Sequence, residues 1–174
     1  MALQGRARRA PSPLVRDARL IALHEAGHAV AAHALGLVVT RVTIEPTYDT
    51  FYQKWRLGVT EIEVIGDLTR DFSFAMRDRL HREAIFSLAG PAAERRVVGR
   101  VPLDEDGIDV ERARWLLSRD TPTRGLPEVL RAAKESAATL VIERESAIAR
   151  LAAVLMLHRT LTGAQLCKRR RAYL

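Results

Sequence analysis

Two histidines and a glutamate at short spacing are the residues of this chain best suited to catalysis. They lie in the segment LIALHEAGHAV at positions 20–30. On a helix, His24 and His28 project from one face on successive turns, so both imidazoles can bind one metal ion, and zinc is the usual ion for such a pair. Glu25 lies about 100° further around the helix. That direction suits a general base holding the attacking water rather than the metal.

This arrangement predicts hydrolysis by metal-activated water. Zinc lowers the pKa of its bound water to about 7 and polarises the scissile carbonyl, while a neighbouring carboxylate moves the proton from the water to the leaving amine. The competing interpretation is a buried helix whose two histidines are satisfied within the core. Gly27 argues against this second interpretation. A glycine inside a helix lowers the stability of the helix by about 1 kcal/mol, so its presence indicates that another group approaches closely. We therefore favour the metal site.

A zinc site of this kind needs a third protein ligand. His33 lies five residues after His28 and about 140° away from its face, so we expect it in packing or on the surface. The metzincin pattern would place glycine at 31 and histidine at 34, and both positions are alanine. Acids near a helix start also cap it and complement its dipole, so local chemistry does not choose among the downstream carboxylates. These are Glu94, Asp104, Glu105, Asp106, Asp109 and Glu111.

Hydrophobic spacing in the first half of the chain predicts one helix followed by a small β element. Apolar residues at steps of three and four indicate a helix over 14–35, with Gly36 where a glycine cap would end it. Runs rich in β-branched residues predict strands over 38–44 and 57–65. Between them, 47–56 is polar and aromatic, typical of a hairpin loop or a flap lining a cleft.

The second half is predicted to be helical. A helical pattern covers 71–88, Gly90 and Pro91 interrupt it, and a short helix resumes over 92–98. After a loop, a helix begins near Ile108 with Asp104 or Asp106 as its cap. A long helical tract covers 127–159, and 161–166 turns into a last short helix. The expected fold class is mostly α with a small β element.

Composition indicates one globular domain, since the 174 residues are 48% hydrophobic and 28% charged. We expect a flexible basic tail over 1–13, the domain over 14–167 and a basic end over 168–174. The single cysteine, Cys167, excludes an internal disulfide framework and fits a reducing compartment. No apolar run approaches the roughly 18 residues of a membrane span, and the first residues do not form a secretory signal. These features predict a cytoplasmic protein.

The net charge of +7 raises the question of nucleic-acid binding. Much of the excess lies near the two ends, and aromatic residues, only 5% of the chain, do not interleave with it as a stacking platform would require. The pattern favours solvated charge over a specific nucleic-acid site. An acidic partner or a membrane surface stays open as an alternative.

Several separated segments together resemble the protease domain of FtsH-type AAA metalloproteases. They are HEAGHAV (24–30), VTI (42–44), LAGPAAE (88–94) and DVERA (109–113), in similar order and at similar intervals. Near the C-terminus, IARLAAVL (148–155) followed by LTG (161–163) is similar to the closing helix and turn of that family. The likeness spans about residues 18–167, and the ordered set is more specific than the first motif alone.

The resemblance implies a zincin-like endopeptidase that uses Zn²⁺. His24 and His28 match two of the family's zinc ligands, and Glu25 matches its general base. The third ligand in the family is an aspartate of the fourth segment, which corresponds here to Asp109. Glu94 matches a motif acid for which we expect a structural role, behind the ligands.

The family carries transmembrane helices and an ATPase module before its protease domain, and this sequence shows neither. We therefore expect polypeptide substrates that are already unfolded or short, or delivery by a separate unfoldase or ATPase. The alternative is a non-catalytic peptide-binding or adaptor module on the same scaffold. The sequence does not specify the oligomeric state.

Overall fold

The computed structural model describes residues 17–49, 53–64, 73–99 and 107–168, and these form a mostly helical α+β fold, as the sequence predicts. The elements follow one another as α1 (Ala18–Ala34), β1 (Val39–Thr43), β2 (Thr47–Asp49), β3 (Lys54–Arg56), β4 (Val59–Ile62), α2 (Phe74–Val98), α3 (Ile108–Ser118), α4 (Leu126–Glu143), α5 (Glu145–His158), β5 (Thr160–Thr162) and α6 (Gly163–Lys168). The proposed tail over 1–13, residues 169–174 and the loop over 101–106 lie outside the described residues.

Helix α1 lies at the centre, between α2, α5 and the sheet. It begins after Asp17, whose carboxylate accepts a hydrogen bond from the backbone N–H of Arg19. It ends as predicted at Gly36, whose φ of +70° is one that glycine adopts without strain. The N–H groups of Gly36 and Leu37 donate to the carbonyls of His33 and Ala32, the Schellman pattern that satisfies the last carbonyls of a helix.

Three strands form an antiparallel sheet in the order β4-β1-β5. Strands β1 and β4 confirm the two predicted strands, and β2 pairs with β3 in a separate hairpin where a hairpin loop or flap was expected. The segment around Leu161 was expected to be a turn, and that is wrong for its first residues. Leu161 pairs with Val42 and both side chains are buried, so β5 completes the sheet.

Helix α2 is continuous, which corrects the predicted interruption at Gly90 and Pro91. A proline inside a helix costs about 3 kcal/mol or more, because it removes a backbone hydrogen bond. The helix continues because small residues pack tightly across the contact with α1. A Cβ on Gly27 would lie 2.8 Å from the Cβ of Ala93 and 2.9 Å from the carbonyl oxygen of Ala89. The close approach inferred from Gly27 is therefore the crossing of these two helices.

The predicted tract over 127–159 is two helices, α4 and α5, which meet at Arg144. The division has a packing reason. Leu130, Ala133 and Ala137 of α4 belong to a core formed with α2 and α3, whereas Ile148 and Leu151 of α5 belong to a core formed with α1 and the sheet. Val141, in the last turn of α4, joins the second core, so the change from one core to the other lies just before the helix boundary at Arg144.

Helix α3 begins at Ile108, as predicted, and buries the four apolar residues of its pattern, Val110, Ala113, Leu116 and Leu117. Its N-cap is Gly107, which makes no side-chain capping bond; the expected caps Asp104 and Asp106 lie outside the described residues. None of the helices in the described ranges is both long and apolar enough to cross a membrane.

Candidate metal centre

His28 is fixed by the carbonyl group of Phe86 on α2. The Nδ1 of His28 lies 2.8 Å from that oxygen, and a carbonyl can only accept, so Nδ1 carries the hydrogen. In a neutral imidazole the other nitrogen, Nε2, then presents a lone pair. The residue is 4% exposed, so its direction is set by packing as well as by the hydrogen bond.

His24 is oriented in the same way by a carboxylate of α2. Its Nδ1 lies 3.1 Å from Oε1 of Glu94, which is buried. An acceptor behind Nδ1 holds the hydrogen there and turns Nε2 to the front, the arrangement that supports metal-binding histidines in proteins. The Nε2 atoms of His24 and His28 face each other at 3.0 Å. The structural role expected for Glu94 is consistent with this position.

Asp109 brings a carboxylate oxygen to the two imidazoles from the first turn of α3. Its Oδ2 lies 3.0 Å from Nε2 of His24 and 3.5 Å from Nε2 of His28. The side chain of Asp109 is 19% exposed, whereas that of His28 is 5% exposed. The side chain of His24 is 15% exposed, so Asp109 and His24 form the side of the cluster that faces solvent and His28 forms the inner side.

Gly90 on α2 provides the space in which these three atoms meet. A Cβ at this position would collide with Nε2 of His28 and lie 2.7 Å from Nε2 of His24. Any side chain other than hydrogen would thus occupy the point between the imidazoles. The residue that seemed to interrupt a helix is required by the site.

The cluster favours a positive charge. Burial lowers the pKa of His24, but hydrogen bonds to Asp109 and Glu94 outweigh it and raise that pKa to about 10. Burial alone would raise the pKa of Asp109, yet the charges and hydrogen bonds of His28 and His24 hold it well below the usual range. Three acceptor atoms that face one point repel each other unless a proton or a metal ion lies between them.

The donor set fits zinc. Ligands placed tetrahedrally at about 2.0–2.1 Å from zinc lie about 3.3 Å from one another. The three separations here are 3.0, 3.0 and 3.5 Å. Two imidazole nitrogens and one carboxylate oxygen leave one tetrahedral position for water or substrate, as in catalytic zinc sites. His24, His28 and Asp109 could hold the ion between them.

Glu25 lies beside the histidines on α1, against β4. Thr60 donates a hydrogen bond from Oγ1 to Oε2 of Glu25 over 2.7 Å. The residue is 4% exposed, and burial raises the pKa of Glu25, although the nearby histidines and the Thr60 hydroxyl act in the opposite direction. The carboxylate is therefore held next to the histidines while remaining outside the set of ligand atoms.

The structure thus brings together His24, His28 and Asp109, with Glu94 behind them and Glu25 beside them. It does not bring His33 or Glu111 to the cluster: His33 is partly buried elsewhere on α1, and Glu111 is exposed on α3. Asp104, Glu105 and Asp106 lie outside the described residues.

Sequence reasoning missed three contributors, which are Gly90, Thr60 and the carbonyl of Phe86. The position of Gly90 inside a helical pattern was a usable signal, of the same kind as Gly27. Nothing in the sequence marks which backbone carbonyl will face a given histidine.

No protein-family model matches this chain, and no curated protein sequence matches it.

Proposed function

We propose that the protein is a zinc-dependent endopeptidase on a zincin-like fold similar to the FtsH protease domain. The observation that carries the proposal is the convergence of three acceptor atoms, from His24, His28 and Asp109, within 3.0–3.5 Å of one another. The ordered likeness to the family over four segments supports it independently of the geometry.

In the proposed reaction the chain's own residues bind, orient and move a proton. Bound zinc would supply the Lewis acidity that activates water and polarises the peptide carbonyl. Phe86 and Glu94 lie against the Nδ1 atoms of His28 and His24, so both Nε2 atoms point to the place where the metal would bind, and His24 gives up its proton on binding. The Glu25 carboxylate accepts the proton of the attacking water and delivers it to the amine that leaves.

A peptide is the substrate that best suits the surroundings. Strand β4 lies at one edge of the sheet and packs on α1 beside Glu25. An edge strand has backbone groups available to pair with an extended polypeptide. Such pairing requires an unfolded or short chain, and a separate unfoldase or ATPase could supply one. We place this activity in the cytoplasm, on the basis of the single cysteine.

The Glu25→Gln variant tests the proposal directly. We expect it to bind about one zinc ion per chain, as the wild type does, and to cleave casein or a labelled unfolded peptide about 10²- to 10⁴-fold more slowly, since that is the usual contribution of a general base. Glu128→Gln is the matched control, because Glu128 is an exposed glutamate of α4, a helix that contributes no residue to the proposed site; its activity should equal that of the wild type.

Two results would contradict the proposal. A wild-type protein that binds no zinc on reconstitution would exclude the metal site itself. A wild-type protein that binds zinc but cleaves no faster than Glu25→Gln would favour the non-catalytic peptide-binding or adaptor module. Metal analysis and a cleavage assay on the same preparation distinguish these cases.

A further inference from the structure

Strand β4 contacts the carboxylate of Glu25 through one buried hydroxyl. Oγ1 of Thr60 lies 2.7 Å from Oε2 of Glu25 and 3.1 Å from the backbone oxygen of the same residue. Thr60 is 6% exposed. A hydroxyl has a single hydrogen to donate, and both acceptors within its reach belong to Glu25. The shorter contact, to a charged acceptor, is the stronger one.

Gly58 closes the other side of the same carboxylate. A Cβ at Gly58 would lie 2.6 Å from Oε1 and 2.7 Å from Cγ of Glu25. The glutamate side chain therefore lies directly on the backbone of the residue that precedes β4. Because Thr60 pairs with Val42 of β1, the sheet holds β4 in register, and Gly58 is joined directly to the first residue of that strand.

A glutamate without such contacts would sample several conformations, because its side chain has three rotatable bonds and freezing them costs free energy. A general base must stay within hydrogen-bond reach of the proton that it accepts. In the described part of the chain, the carboxylate of Glu25 accepts one side-chain hydrogen bond, from Thr60 to Oε2. Thr60 therefore holds one oxygen of the carboxylate, and Gly58 packs against the other.

We propose that Thr60 is a positioning residue for Glu25, whose hydroxyl holds Oε2 and so fixes the carboxylate beside the histidines. The proposal rests on the proposed endopeptidase function. Thr60 touches neither substrate nor metal in this assignment and acts through Glu25. Gly58 contributes by leaving the space in which the carboxylate lies.

The first experiment compares Thr60→Val with Thr60→Ser in the full-length, zinc-loaded protein. Valine keeps the branched shape and removes the donor, whereas serine keeps the donor. We expect Thr60→Val to lower kcat on an unfolded peptide roughly 10- to 100-fold, the effect of misplacing a catalytic group by about 1 Å, with little change in KM or zinc content. Thr60→Ser should restore most of the lost kcat.

Thr43→Val is the matched control for a purely structural effect. Thr43 is a buried threonine of the same sheet, and its hydroxyl bonds to Thr160 at 2.7 Å rather than to Glu25. Its melting temperature should fall about as much as that of Thr60→Val, while its kcat stays at the wild-type value. Equal losses of kcat in the two variants would overturn the positioning role.

A crystal structure of each zinc-loaded variant tests the proposal without any activity. Glu25 should show one conformer in the wild type and Thr60→Ser, and several conformers or a displaced one in Thr60→Val. An unchanged Glu25 in Thr60→Val would overturn the proposal even if the variant were slow. A wild type that cleaves nothing would instead reject the endopeptidase function, and the conformation of Glu25 would still decide what Thr60 does.

Discussion

The histidines and the aspartate reach the same point from two regions that are built differently. His24 and His28 lie on α1, and each has its Nδ1 next to an acceptor of α2. Asp109 lies in the first turn of α3, a helix without a side-chain cap, and its side chain is the more exposed. The histidine half of the site, His24 and His28, belongs to a tightly packed helix pair. The aspartate half, Asp109, belongs to a third helix.

This difference indicates that the two histidines are held rigidly, whereas the position of Asp109 depends on how α3 packs against the rest of the fold. The α1–α2 half is preorganised, since small residues allow the helices to touch and the imidazoles have almost no room to turn. Asp109 depends on how α3 packs on α2. Arg112, one turn later on α3, contributes to that packing, because its Nη2 lies 3.4 Å from Oε2 of Glu83, a buried glutamate of α2. We therefore expect changes to the histidine half to cost the most metal affinity.

Gly90→Ala should cause the largest loss, because its Cβ would enter the space between both imidazoles. Binding of zinc to a four-ligand site is worth about 10–16 kcal/mol, or roughly 3 kcal/mol per ligand. Displacing two ligands should therefore weaken zinc binding by about 10⁴-fold, measured by competition with a chelating dye. The helix itself should not suffer, since alanine favours a helix over glycine by about 1 kcal/mol.

Gly125→Ala is the control for replacing a glycine. A Cβ there would lie 3.4 Å from its nearest neighbour, an ordinary contact, so zinc affinity should match the wild type. If Gly90→Ala bound zinc within tenfold of the wild type and remained folded in thermal unfolding, the histidine half would be less rigid than its packing indicates.

The same contrast explains what the sequence could predict. The histidine half comes from one continuous helix, so a spacing of four residues is enough to place two ligands together. The aspartate lies 85 residues from His24 along the chain. The local sequence therefore did not decide which of six acidic residues is the third ligand, and only the resemblance to the protease family selected Asp109. Tertiary packing decides that Asp109 faces the cluster while Glu111, two residues later, is exposed.

Another error had the same origin. Gly90 and Pro91 have poor helix propensity, and the prediction of a break followed that local preference, whereas packing against α1 determined the outcome. In β4 the buried positions are Thr60 and Ile62, and the polar side chain of Thr60 is accommodated there by its hydrogen bond to Glu25.

Asp109→Ala tests the aspartate half and should have a smaller effect than Gly90→Ala. Losing one of the three protein ligands, at roughly 3 kcal/mol for each, should weaken zinc binding by about 100-fold, again measured by dye competition. Glu111→Ala is the matched control, since it removes an acid from the same first turn and has a similar effect on the helix dipole. Equal losses in the two variants would mean that Asp109 acts through helix stability and that another residue completes the ligand set.

The pH dependence of zinc binding should give the smallest effect when it is taken per pH unit, and it links the two halves. With a pKa of about 10, His24 is protonated at pH 7 before the metal binds, and it must lose that proton to become a ligand. Each unit of rising pH below about 10 should therefore tighten zinc binding about tenfold. Calorimetry in two buffers of different ionisation enthalpy should detect release of about one proton at pH 7.5.

Since Asp109 helps to raise the pKa of His24, the Asp109→Ala variant should release fewer protons on binding zinc. An unchanged release would mean that Glu94 holds the proton on His24 and that the aspartate half does not influence it.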